Sequence, residues 1–223
     1  MSDLAIYDLD RTLTRYGTYT PFLLHCALRR APWRLLLTPL AAASMLAYGA
    51  RLIDRGKLKE INHWLLLGQS IHPRDLKPLV DSFADATVAG NLRPGARKAI
   101  ARDRNEGRRL VLATASYRLY ADAIAERLGF DDVIGTASVI GLDERLRSRI
   151  EGENAYGEAK LRMIAAWVEQ SGLAGKHGHV RFYSDHASDA PTFEWSDEPV
   201  AVNPHAKLAR LAKSRGWAIE DWS

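Results

Sequence analysis

Leu4-Ala5-Ile6-Tyr7-Asp8-Leu9-Asp10-Arg11-Thr12 runs from four apolar residues straight into two carboxylates one residue apart. The apolar run predicts a short buried strand, and the Asp-Leu-Asp step falls where that strand should end. Packing has no need of two acids there. In extended backbone, residues two apart point to the same side. Asp8 and Asp10 are therefore expected to face one small volume, where both ionise only if a cation or a proton intervenes. That placement suits metal-assisted phosphate chemistry. The alternative is a polar turn, because Asp favours turns on its own account.

The pattern on either side of this stretch sets the architecture. From Tyr19 to about Ala89, apolar stretches such as Phe22-Leu23-Leu24, Leu35-Leu36-Leu37 and Trp64-Leu65-Leu66-Leu67 follow one another without alternation, which predicts an all-helical insert. After Arg93-Pro94-Gly95 the chain changes to alternating units: a helix over 94–105, the strand Leu110-Val111-Leu112-Ala113, a helix over 117–128 and the strand Asp132-Val133-Ile134-Gly135. Two polar extended segments near 137–150, a helix from Glu158 to Gln170, strands at Val180-Arg181-Phe182-Tyr183 and Val200-Ala201-Val202, and a helix over 205–215 complete the set. This is an α/β fold with a parallel sheet. Such sheets bind ligands beyond the carboxyl ends of their strands, where Asp8, Thr114 and Asp185 fall.

Three further groups line up with the first. Thr114-Ala115-Ser116 ends a strand at a helix start, where a hydroxyl and backbone amides can hold phosphate oxygens. Tyr156-Gly157-Glu158-Ala159-Lys160 puts a lysine in the first turns of a helix. Ser184-Asp185-His186-Ala187-Ser188-Asp189 repeats the theme of two acids after a strand. Taken singly, Thr114 and Asp189 also suit helix caps and Lys160 a surface charge.

In this order the four motifs resemble the haloacid dehalogenase superfamily, in particular the phosphoserine-phosphatase-like branch, subfamily IB, whose helical cap is inserted between the first and second motifs. The resemblance implies a Rossmann-like core over residues 1–15 and 90–223, a helical cap over 16–89, Mg²⁺ as cofactor and hydrolysis of phosphate esters. It also implies Asp8 as nucleophile, Asp10 as general acid and base, Thr114, Ala115 and Lys160 as phosphate ligands, Asp8, Asp10 and Asp185 as the metal site, and Asp189 in support. In phosphoserine phosphatases a glutamate stands nine positions after the nucleophile. Here that position is Gly17, which disfavours phosphoserine. His186 takes the place of a small residue and reads as a substrate contact or, the plainer expectation, as an outward-facing loop side chain.

Composition narrows the rest. With 47% hydrophobic and 26% charged residues the chain is ordinary globular material, and its single cysteine, Cys26, rules out an internal disulfide or a Cys-cluster metal site and suits a reducing, cytoplasmic setting. Residues 16–89 hold nine Lys or Arg against five Asp or Glu, an excess that equals the net charge of +4. Such a segment either is a solvated helical face or meets an anionic substrate or membrane surface. The uncharged stretch Leu35 to Ala50 falls short of the ~20 apolar residues that a membrane span needs and is expected to be a buried helix or helix pair. Flanked by arginines, it also resembles the cap of bacterial phosphatidylglycerophosphatase C, which keeps a lipid phosphate and peripheral contact with the inner membrane surface as an alternative to a small soluble ester. The tryptophans, Trp33 and Trp64 among them, read as packing anchors rather than a nucleic-acid stacking platform. A non-catalytic phosphate-accepting signalling domain is the alternative of another class, disfavoured by the second acid at Asp10.

Overall fold

Leu4, Ala5, Ile6 and Tyr7 are all fully buried, as a strand covered on both faces requires. They form the centre of the molecule. The computed structural model describes residues 2–173 and 177–223. Strand β1 (Ser2–Tyr7) leads through a turn over residues 9–13 into α1 (Tyr19–Arg30), α2 (Thr38–Gly49), α3 (Arg55–Leu66), the short strand β2 (Ser70–Ile71) and α4 (Pro73–Gly90). Alternation follows in α5 (Pro94–Asn105), β3 (Arg109–Tyr117), α6 (Arg118–Leu128), β4 (Asp132–Ile140), β5 (Leu146–Glu151), α7 (Glu158–Gln170) and β6 (His177–Ser184). The short helix α8 (Ala190–Trp195), β7 (Glu198–Val202), α9 (Ala206–Arg215) and β8 (Ala218–Glu220) complete the order.

The strands make one sheet in the order β2-β5-β4-β3-β1-β6-β7-β8. It is parallel from β4 to β8, with β5 and β2 antiparallel at one edge. Alternate residues of the central strands feed two apolar layers. Ala5, Tyr7, Leu110, Leu112, Tyr183 and Val200 face the layer shared with α1, α4, α5 and α6. Leu4, Ile6, Val111, Ala113, Phe182 and Ala201 face the layer under α7, α8 and α9. Strand order reverses around β1, with β3 on one side and β6 on the other, so the carboxyl ends of these three strands border a common crevice.

Three expectations need correction. The insert is not all-helical, because β2 pairs with β5 at Ser70↔Arg147 and Ile71↔Leu146 and joins the insert to the sheet edge. The stretch Leu35 to Ala50 is not buried either. Helix α2 buries Ala41 and Ser44 while Leu36 is 80% and Leu46 75% exposed, because α2 lies at the periphery and packs on α3 from one side. Trp33 and Trp64, 60% and 52% exposed, are not packing anchors. No helix among the described residues is long and apolar enough to cross a membrane.

Behind the crevice, Asp103 of α5 is fully buried and accepts hydrogen bonds from the hydroxyls of Tyr7 and Tyr183 and from Arg181. The two tyrosine rings stack with centroids 4.4 Å apart. Asp103 thus ties the ends of β1 and β6 together one residue before the chain delivers Asp8 and Ser184. Replacing it takes the acceptor from both tyrosine hydroxyls and one of three acids from Arg181, which keeps Glu106 and Glu198, while Tyr183 still accepts from Arg102. Asp103→Ala is expected to lose about 3 kcal/mol of unfolding free energy and Asp103→Asn distinctly less. Urea unfolding measures both, and a loss below about 1 kcal/mol for Asp103→Ala contradicts this role.

Candidate active site

Extended backbone does not persist beyond Asp8. Its N–H donates to the Tyr183 carbonyl at 2.9 Å, and Asp8 itself is still extended, at φ −77° and ψ 154°. The chain then folds into the turn over residues 9–13, in which Arg11 adopts φ +65°. Thr14 closes the turn by donating its N–H to the Leu9 carbonyl at 3.1 Å. The consequence corrects the sequence reading: both carboxylates line the same cavity, but each has its own partners.

Asp8 points to the floor. Its Oδ1 accepts from Lys160 Nζ at 2.9 Å, and the same ammonium donates to Asp189 Oδ2 at 2.7 Å. Ser184 Oγ holds that Asp189 oxygen at 2.7 Å, whereas Asp189 Oδ1 is buried with no hydrogen-bond partner. Thr12 completes the group. Its hydroxyl accepts from the Asp185 N–H at 3.0 Å and lies 3.3 Å from Asp8 Oδ2 and 3.4 Å from Asp185 Oδ1.

Three carboxylates thus surround one ammonium. Burial, reinforced by Asp189 and Asp185 and opposed by Lys160, pushes the Asp8 carboxyl above its ordinary range, and burial raises Asp185 too. Burial also opposes the charge on Lys160, but Asp189 and Asp8 outweigh it and hold the ammonium firmly protonated. A divalent cation fits this charge balance. Asp8 and Asp185 present hard oxygens to one shared neighbour, and Mg²⁺ takes one or two carboxylates with water and phosphate oxygens. Among the described residues no three His, Cys, Asp or Glu side chains are grouped for a metal, and both side-chain oxygens of Asp10 already accept from Thr18 and Ser116.

Asp10 turns the other way. Its Oδ1 accepts from the N–H and the hydroxyl of Thr18, both at 2.6 Å, and its Oδ2 from Ser116 Oγ at 2.7 Å. Tyr120 donates to Ser116 Oγ at 2.8 Å, which extends this buried network into α6. Thr114 is fully buried and accepts the Ser116 N–H at 3.0 Å, leaving its own hydroxyl hydrogen for the cavity that Thr114 and Ala115 line.

The cavity has a volume of about 470 Å³ and contains every residue singled out from the sequence as catalytic, phosphate-binding, metal-binding or supporting. Its outer wall adds residues that the sequence did not mark: Arg11, Tyr19, Arg55 and Tyr156. The Arg55 guanidinium lies over the Tyr156 ring, 4.2 Å from its centroid. His186 also lines the wall, contrary to the outward orientation expected of it, because Nδ1 bonds Ser188 Oγ at 2.8 Å and the ring packs on His205 at 4.5 Å. Burial and the neighbouring His205 lower its pKa, which favours the neutral imidazole. Thr12 and Thr18 also escaped notice, although Thr12 stands one helical spacing from Asp8 within the opening motif.

Comparison with known proteins finds relatives of both the sequence and the fold. Over 148 residues the chain is 30% identical to phosphoserine phosphatase SerB1 of Mycobacterium tuberculosis, an alignment covering 66% of this chain and 47% of that protein, so the chain spans about half the length of this relative. Histidinol-phosphatase of Neisseria meningitidis is 27% identical over 138 residues, covering 61% of this chain and 62% of that one. A crystal structure of a Bordetella pertussis protein of unknown function superposes over the full length of both chains with a TM-score of 0.89 at 26% identity. The sequence model of the haloacid dehalogenase-like hydrolases matches residues 5–194, a span that runs from β1 through both acidic turns and the Lys160 helix, and the chain belongs to that family.

Proposed function

We propose that the chain is a Mg²⁺-dependent phosphomonoester hydrolase that works through a phosphorylated Asp8 on a small organic phosphate. The observation that carries this reading is the buried contact of Lys160 with both Asp8 and Asp189, on the floor of a cavity walled by Thr114 and Ala115. A carboxylate attacking a phosphate ester meets like charge, and this arrangement supplies the opposite charge where the phosphoryl oxygens must lie. Asp8, Asp185 and the carbonyl of Asp10 would hold the Mg²⁺, which when bound neutralises the charge that phosphate and carboxylates share.

The chain's own residues divide the rest of the work. Asp8 attacks phosphorus, the bond from phosphorus to the leaving oxygen breaks, and Asp10 gives that oxygen a proton. Water then attacks the same phosphorus, Asp10 takes up its proton, and inorganic phosphate leaves Asp8 free. Thr18 and Ser116 fix the direction of Asp10 for both transfers. Residues 16–89 act as a cap over the core of 1–15 and 90–223.

The outer wall bears on the leaving group. Arg11 and Arg55 stand there beside Gly17, Tyr156 and His186, and among the described residues the only acids of the cavity are those already committed to its floor and to Thr18 and Ser116. Phosphoserine and histidinol phosphate each carry an ammonium group, which this wall gives no carboxylate to receive. A neutral or anionic leaving group suits it better. In a phosphate-release screen with Mg²⁺, esters with anionic leaving groups are expected to show the highest kcat/KM and ammonium-bearing esters the lowest. Asp8→Asn, folded by circular dichroism, is expected to release no phosphate, and chelation to abolish release by the unaltered chain. Undiminished hydrolysis by Asp8→Asn overturns the assignment.

A second reading, that the ester is a lipid phosphate taken at a membrane surface, is favoured by the outer face of the cap. Trp33, Leu36, Leu40, Leu46 and Leu52, all within residues 33–52, are exposed, and so are Arg29, Arg30 and Arg51. No Asp or Glu occurs between Asp10 and Asp54, so the charges of this segment repel those of a second copy, whereas an anionic bilayer takes both the apolar residues and the basic ones. Each basic residue near such a surface contributes about 1 kcal/mol. Co-sedimentation with phosphatidylglycerol vesicles is expected, weakening with salt and lost in a Leu40→Asp, Leu46→Asp double variant. Equal recovery with phosphatidylcholine vesicles, or none with either, removes this reading.

A further inference from the structure

Lys59 lies in the second turn of α3 and is buried, 4% exposed. Its ammonium donates to the backbone carbonyl of Ala115 and, at 2.6 Å, to Asn154 Oδ1. Both partners are neutral. The rings of Tyr19 and Tyr117 flank the nitrogen at 5.9 and 5.7 Å, and the carboxylate whose field reaches it is that of Asp10, which is bonded to Thr18 and Ser116 instead. Burial, with Arg55 one turn away, pulls its pKa down to about 7. An ammonium buried without an acid is expensive, and an apolar residue of similar volume at such a site is commonly neutral or stabilising. Stability therefore gives no reason for a lysine here.

Its contacts give one. The ladder between β3 and β4 loses register between Thr114 and Tyr117, so Ala115 and Ser116 lie outside regular pairing. Side chains hold them instead. Lys59 and, at 2.8 Å, Thr136 Oγ1 donate to the Ala115 carbonyl, while the N–H of the same peptide, that of Ser116, donates to Thr114 Oγ1. A cation on the carbonyl polarises that peptide and strengthens the bond from its N–H. That bond occupies a lone pair of the Thr114 hydroxyl and so directs its hydrogen toward the cavity.

We propose that Lys59 is a positioning residue. Carried by the helical insert, its ammonium locks the Ala115–Ser116 peptide of the core so that Thr114 and the adjoining backbone are set to receive a phosphoryl group. Phosphate binding is thereby tied to the seating of α3 against the sheet. This rests on the phosphatase reading.

The test compares the unaltered chain with Lys59→Met, which keeps length and removes charge, and Lys59→Gln, which keeps a neutral donor. The readouts are thermal unfolding, kcat and KM for p-nitrophenyl phosphate with Mg²⁺, and inhibition by inorganic phosphate. Lys59→Met is expected to unfold at or above the temperature of the unaltered chain, yet to bind inorganic phosphate about tenfold more weakly, the value of one charge-assisted hydrogen bond, with KM rising in step. Lys59→Gln should fall between. Phosphate inhibition within twofold of the unaltered chain in a folded variant overturns the proposal. So does failure of both variants to fold, which assigns Lys59 to stability. If the unaltered chain neither hydrolyses the ester nor binds phosphate, the phosphatase reading fails instead.

Discussion

Lys160 bridging Asp8 and Asp189 is the contact on which the site depends. Without it, three buried carboxylates would crowd one another at the ends of adjacent strands, and the cheapest relief would be to protonate them. One ammonium does not neutralise three acids. The residual negative charge, in a place where burial already pushes Asp8 and Asp185 upward, suits the site to a divalent cation. The same lysine, reached by a phosphate, would exchange part of its bond to Asp8 for the phosphoryl oxygens, so a contact that keeps the resting site ionised also prepares it for an anion.

Holding that geometry is the business of the sheet and of what lies behind it. Tyr7 and Tyr183 sit side by side in register, stacked and anchored to Asp103, immediately before the turns that bear Asp8 and Asp185. The N–H of Asp8 and the N–H of Asp185 are both spoken for, by Tyr183 and Thr12. The helical insert then closes the opposite side, contributing Thr18 to Asp10, Arg55 to the outer wall and Lys59 to the Ala115 carbonyl. In the proposed function the core carries the chemistry, while the insert adds residues to the cavity wall and to the alignment.

The opening motif was legible because a continuous apolar run ending in acids has few structural uses, and the same holds for Thr114 and Asp185 after their own buried strands. The separation of Asp8 from Asp10 was not legible. It depends on a left-handed Arg11, a non-glycine residue that announces nothing in sequence. Lys59 was hidden among the basic residues of the insert, since a helical lysine reads as solvated until α3 is seen to press it against β3 and Asn154. Strands β2 and β8, two and three residues long, are too short for periodicity to register. The exposure of α2 went unread for the opposite reason: an uncharged Leu- and Ala-rich run normally means burial, and only its peripheral place in the fold turns it outward.

The most direct measurement is chemical capture of the acyl phosphate. The chain is mixed with Mg²⁺ and excess p-nitrophenyl phosphate, quenched during turnover, reduced with borohydride and mapped by mass spectrometry. An aspartyl phosphate is reduced to homoserine with loss of phosphate, so the account predicts homoserine at position 8 and at no other aspartate. Its appearance at another aspartate, or rapid turnover with Asp8 recovered unmodified, would contradict it.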